Sequence, residues 1–279
     1  MIYKTLPIEI DYKKLGVDNF GFTATMTLYM PSNLPNVDMK RKRPTIVVCP
    51  GGGYGGKNPR EGEPIALKFV SSDFNAVVLD YSVEPIRFPA ALMELSKAVA
   101  TIRENADEWN VDVNKIIVCG GSAGGHLAAN FSTLWNRDFV KDFFGYKNEE
   151  NKPNGMILSY PVITDGEKRH EGSFNRLLGD KVTDKELTNL CSCEKQVSED
   201  TPPAFIWHTF TDSNVPVENS MLMASALIEK GISTELHIFP EGRHGLSLCN
   251  ATVDPRNIGE NPECSVCFDM AVRWVKGLK

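Results

Sequence analysis

The order of apolar segments along this 279-residue chain predicts an α/β fold with a mostly parallel sheet and helices on both faces. Short β-branched runs bounded by turn residues alternate with longer segments of helical period, the pattern of strand–helix–strand crossovers. The best strand candidate, Lys115-Ile116-Ile117-Val118-Cys119, ends in a continuous apolar run rather than an alternating one, as a strand buried on both faces must. With 42% hydrophobic residues the chain can bury a substantial core, and residues 1–279 are expected to form one domain.

The elements follow in order. Segments 8–12 and 21–30 alternate loosely and predict an opening antiparallel pair, closed by the turn Pro31-Ser32-Asn33-Leu34-Pro35. Strands are then expected over 45–49, 76–79, 116–119, 156–159, 204–208 and 235–239. Helices are expected over 63–71, 90–109, 123–133, 217–230 and 264–278; Leu92, Leu95, Val99 and Ile102 form the apolar stripe of the second. The stretch 161–203 is too long for a simple connection and carries Phe174, Leu177, Leu178 and Leu187 among many charges. It reads as a small, cap-like helical insertion over the site, with a peripheral helix pair as the other reading.

A net charge of −6 gives no electrostatic ground for binding nucleic acid or anionic lipid. The basic run Lys40-Arg41-Lys42-Arg43 precedes Pro44 and a buried strand, and a solvated turn is expected there. Neither a signal-peptide pattern nor a membrane span is evident, so a cytoplasmic location is expected. Seven cysteines, an odd number, point to reduced thiols. Cys264-x-x-Cys267 has zinc-site spacing and Cys191-x-Cys193 offers two more thiols, but Cys267, Met270, Ala271, Trp274 and Val275 share one helix face. Buried free thiols are the commoner outcome, and neither metal nor cofactor is expected. The oligomeric state stays open, a homodimer included.

Chemistry concentrates in Gly120-Gly121-Ser122-Ala123-Gly124, a G-x-S-x-G sequence where a strand should turn sharply into a helix. Such a turn strains the serine backbone and leaves no room for side chains at the flanking glycines. Ser122 is the candidate nucleophile; a phosphate-binding or merely close-packed turn is the other reading. Further loops lie at the carboxyl end of the sheet, where open α/β sheets bind ligands. In Cys49-Pro50-Gly51-Gly52-Gly53-Tyr54-Gly55-Gly56, the Gly52 and Gly53 amides, with that of Ala123, are candidate oxyanion donors. Phosphate cradling fits less well, because the loop has no Lys-Ser/Thr ending. Asp212 suits the carboxylate that fixes a histidine tautomer, although Asp212-Ser213-Asn214 is also good turn chemistry and Glu218 is a weaker alternative. His244, beside a glycine in the loop 240–246, is the candidate general base. His126, His170, His208 and His237 lie on the nucleophile's own helix, in the insertion or in strands.

On Pro50-Gly51-Gly52-Gly53-Tyr54, the stretch from Gly120 to His126, the stretch from Asp212 to Pro216, and His244-Gly245-Leu246, the chain resembles the α/β-hydrolases of the acetyl esterase/lipase group. It is especially similar to their bacterial carbohydrate-esterase-like branch, which includes acetyl-xylan esterases. The resemblance runs from about residue 45 to the C-terminus, and the order Ser122, Asp212, His244 matches that fold. It implies an α/β-hydrolase fold and a serine esterase working through an acyl-enzyme on a small-molecule ester. Short acyl groups, O-acetyl groups on sugars or xylo-oligosaccharides among them, are the implied substrates. General carboxylesterase, amidase or peptidase activity on the same triad, and a non-catalytic receptor on the same fold, are the alternatives. Cys49-Pro50 stands where the lipase motif places histidine, so the anchoring of the glycine loop differs. Tyr54 and Trp207 are candidates for a sugar-stacking or acyl-pocket wall, with core packing as the other reading.

Overall fold

The computed structural model describes residues 1–254 and 261–278. Its strands are β1 (Ile2–Pro7), β2 (Thr25–Met30), β3 (Arg43–Cys49), β4 (Asn75–Asp80), β5 (Val111–Gly121), β6 (Gly155–Ser159), β7 (Ala204–Thr209) and β8 (Thr234–Phe239). They form one sheet in the order β1-β2-β4-β3-β5-β6-β7-β8. The β1–β2 and β2–β4 pairs are antiparallel; every later pair is parallel. The helices are α1 (Glu63–Ser71), α2 (Ala90–Glu104), α3 (Ser122–Leu134), α4 (Asp138–Phe144), α5 (Glu171–Leu178), α6 (Lys185–Leu190), α7 (Glu218–Glu229) and α8 (Pro262–Gly277).

The central strands are apolar on both faces because both are covered. Val47, Val118 and Leu158 pack with α2, α3 and α7, whereas Ile46, Ile117 and Ile157 pack with α1 and α8. Register then sets the site. Cys49 pairs with Gly120, Gly121 with Ser159, Ser159 with Trp207, and Thr209 with Phe239, so five parallel strands end along one rim. Among the described residues, no helix is long and apolar enough to cross a membrane.

Several expectations are corrected. Residues 8–12 are not a strand: Ile2–Pro7 pairs with β2 instead, and the chain then turns at Asp11, whose carboxylate accepts the Lys14 amide at 2.9 Å. The second helix stops at Glu104, where Asn105 caps it by donating to the Thr101 carbonyl, and residues 105–109 form turns. The basic run is not simply solvated. Arg43 is 6% exposed and its Nε meets Asp73 at 3.0 Å, while Lys42 meets Asp107 at 2.8 Å. The segment 161–203 holds α5, α6 and two short 3-10 turns, and Phe174, Leu177 and Leu178 enter the main core.

One buried carboxyl braces the amino-terminal section. Glu94 on α2 is fully buried, and accepts from the Tyr12 hydroxyl at 2.7 Å, the Ser82 amide at 2.6 Å and the Ser82 hydroxyl. Glu94→Ala strands these donors without water, and each stranded group costs about 1–3 kcal/mol. Urea unfolding of that variant is expected to show a loss of about 3 kcal/mol or more at unchanged slope. A midpoint equal to wild type would contradict this account.

Candidate active site

β5 runs directly into α3, and Ser122 is the first helical residue, with φ at +53°. A non-glycine residue in this left-handed region costs about 1–3 kcal/mol, so the surroundings must enforce it. They do so by close approach of backbone. A Cβ at Gly120 would lie 2.2 Å from the Gly124 carbonyl oxygen, and one at Gly124 only 2.0 Å from that of Cys49. Glycine at these two positions lets α3 begin against the end of β3. Ser122 ends up at the rim, 7% exposed.

Two loops reach it. His244, after β8, places Nε2 2.7 Å from Ser122 Oγ, and its Nδ1 lies 2.6 Å from Asp212 Oδ2. An ionised Asp212 only accepts, so Nδ1 carries the proton and the Nε2 lone pair faces the serine hydroxyl. Asp212 is itself fully engaged. Its Oδ1 accepts the Asn214 and Val215 amides at 2.9 and 3.0 Å, and Oδ2 is also approached by His208 Nε2 at 3.3 Å. Burial alone pushes the Asp212 carboxyl up, but the His208 and His244 hydrogen bonds, the His244 charge and the Val215 amide hold it well below the usual carboxylate range. The residue ionises throughout the physiological range and orients the imidazole.

The glycine loop after β3 lies beside the serine. Gly52 and Gly53 have φ of +141° and +63°, and among the described residues neither amide has a hydrogen-bond acceptor in the protein. The Ala123 amide belongs to the first turn of α3, where no intrahelical acceptor exists. All three N–H groups are therefore available to an oxyanion. From the insertion, Arg176 on α5 donates to the Gly53 carbonyl at 3.3 Å and closes over the loop.

Tyr54 is not a substrate wall. It is 2% exposed and its hydroxyl bonds to His126 Nδ1 at 2.8 Å; the His126 Nε2–H donates to the Cys191 carbonyl at 2.8 Å. A buried imidazole offering an acceptor draws the phenol into the core, and the trio links the glycine loop, α3 and the insertion. Trp207 is likewise buried, with Nε1 donating to Ser159 Oγ at 2.7 Å. Cys191 and Cys193 pack on one face of the sheet, Cys264 and Cys267 on the other, so the two pairs share no metal. His208 and Glu61 are site residues that sequence reasoning missed. Both are buried polar groups in stretches that look like an ordinary strand and an ordinary charged turn.

A serine at a left-handed strand–helix turn, on the rim of this sheet and facing a histidine loop, defines the chain as an α/β-hydrolase. Residues 26–227 match the BD-FAE family, and the chain belongs to it. Over 238 residues it is 42% identical to endo-1,4-β-xylanase B of Butyrivibrio fibrisolvens, covering 83% of this chain and 36% of that protein. Over 214 residues it is 32% identical to acetylxylan esterase of Xylanibacter ruminicola, covering 73% and 41%. The chain thus spans well under half the length of these two relatives. A crystal structure of an acetyl ester-xyloside bifunctional hydrolase from Caldicellulosiruptor lactoaceticus superposes with a TM-score of 0.81 at 35% identity, covering 98% of this chain and 95% of that one.

The Tyr54–His126–Cys191 link makes stability depend on pH. Burial lowers the His126 pKa from 6.5 to about 4, against an opposing hydrogen bond to Cys191. The unfolded chain therefore binds the proton more readily. The stabilisation is complete above about pH 6.5 and is lost as pH falls towards 4, amounting to about 3 kcal/mol. Urea midpoints should drop between about pH 7 and about pH 5, and drop less in His126→Gln. Equal pH dependence in the two proteins would contradict the assignment.

Proposed function

We propose that this protein is a serine esterase that removes short acyl groups, O-acetyl groups on sugars or xylo-oligosaccharides in particular, through an acyl-enzyme on Ser122. The observation that carries the reading is the unbroken chain of 2.7 and 2.6 Å hydrogen bonds from Ser122 through His244 to Asp212. His244 Nε2 takes the Ser122 proton as Oγ attacks the ester carbonyl. The oxyanion accepts hydrogen bonds from Ala123 and from Gly52 or Gly53, whose amides have no acceptor among the described residues. His244 then passes its proton to the departing alcohol. Water repeats the sequence on the acyl-enzyme and frees the acid. Asp212 keeps its charge throughout and stabilises the transient imidazolium.

One of the similar proteins is named an acetylxylan esterase and another an acetyl ester-xyloside bifunctional hydrolase, which favours an acetylated sugar over a lipid. Ser122→Ala is expected to lower kcat by about 10⁴-fold or more while leaving KM within a few-fold, measured with 4-nitrophenyl acetate. Acetate should be released from acetylated xylo-oligosaccharides, rates should fall steeply from acetyl to octanoyl esters, and aryl amides should stay inert. Wild-type turnover in the serine variant would remove Ser122 from the reaction. Faster amide than ester cleavage would favour a peptidase.

A further inference from the structure

A carboxyl group with no part in the proton relay lies directly beneath it. Glu61 ends the short 3-10 turn Pro59–Glu61 that follows the oxyanion loop, and is 2% exposed. Its Oε2 accepts the Gly51 amide at 2.9 Å, Asn58 Nδ2 faces Oε1 at 3.4 Å, and the Tyr160 hydroxyl hydrogen-bonds to the same carboxyl. Tyr160 in turn accepts the Ser247 amide at 2.9 Å, which directs its own proton towards Glu61. All of these partners are donors, so the carboxyl accepts at both oxygens; burial pushes its pKa up, and the Gly51 amide, His244, Arg60 and the Tyr160 hydroxyl oppose that rise.

The same group lies against three of the site's loops. A Cβ at Gly51 or Gly121 would come within 2.5 or 2.6 Å of Glu61 Oε2, and one at Gly245 within 3.7 Å of Oε1. Gly51 opens the oxyanion loop, Gly121 precedes Ser122 and Gly245 follows His244. The Tyr160 ring meets the His244 ring edge-on at 5.2 Å. Arg60, Tyr81, Cys119, Tyr160 and His244 are the ionisable groups that face Glu61. Burial raises Tyr81, Cys119 and Tyr160 and keeps them neutral, which leaves Arg60 as the standing positive partner and His244 as the group that gains charge when it takes the serine proton.

The geometry points to Glu61 as a positioning residue of the hydrolytic site: its carboxylate ties the oxyanion, nucleophile and histidine loops together from below, and its charge favours the imidazolium that forms during each acyl transfer. The inference rests on the Ser122–His244 reading above. Asp212 acts on His244 through a direct hydrogen bond, whereas Glu61 acts through space and through Tyr160.

Glu61→Gln preserves size and removes the charge. With 4-nitrophenyl acetate, kcat should fall by about tenfold or more while KM changes by less than about twofold. The acid limb of kcat/KM against pH should move to lower pH, because the imidazole loses a neighbour that favours its protonated form. A loop tether alone would not move that limb. Wild-type or raised kcat with an unmoved limb overturns the proposal. Should Glu61→Gln fail to fold, Tyr160→Phe decides: kcat lowered by about threefold or more at unchanged KM supports the proposal, and unchanged kcat overturns it. Ser122→Ala is assayed alongside. If it stays active the triad reading fails; if it is inactive while Glu61→Gln matches wild type, only the role of Glu61 fails.

Discussion

The left-handed backbone of Ser122 is the constraint on which the other features of the site depend. With φ at +53°, the hydroxyl stands at the rim of the sheet instead of lying along a strand or helix. The strain costs about 1–3 kcal/mol and persists only because packing around it is stronger. Gly120 and Gly124 permit the close backbone contacts that hold β3, β5 and α3 together, and the first amides of α3 are thereby left facing the same space as the serine.

Electrostatics complete what packing begins. Burying a carboxylate is costly unless its lone pairs are satisfied. Asp212 meets that condition with two backbone amides and the His244 N–H, with His208 Nε2 3.3 Å away, so burial does not neutralise it. Its charge then fixes which His244 nitrogen carries the proton. The insertion contributes through Arg176 on the glycine loop and through the Cys191 carbonyl that anchors His126. Loop, helix and insertion are thus coupled through buried hydrogen bonds rather than by apolar contact alone.

What the sequence made legible follows from how narrowly each position constrains residue type. A serine between glycines at a strand–helix junction, and an aspartate and a histidine at later strand ends, were readable because few other residues fill those places. The central strands were readable for the same reason: their apolar runs have no use outside a doubly covered sheet. Glu61 was not, since Arg60-Glu61-Gly62-Glu63 has the composition of a solvated turn and only the fold reveals its burial. Tyr54 was misplaced because an aromatic beside a glycine loop looks exposed until its acceptor, His126, is located 72 residues away in sequence. β1 escaped notice as an edge strand whose side chains are mostly exposed or half-buried, which weakens any hydrophobic pattern.

The central claim is that Ser122 is a nucleophile activated by His244. Reaction of the folded protein with a fluorophosphonate, followed by peptide mapping, tests it most directly. The account predicts a single covalent adduct on Ser122, nearly absent in His244→Ala. Folded, ester-cleaving protein that acquires no adduct at Ser122 would contradict it.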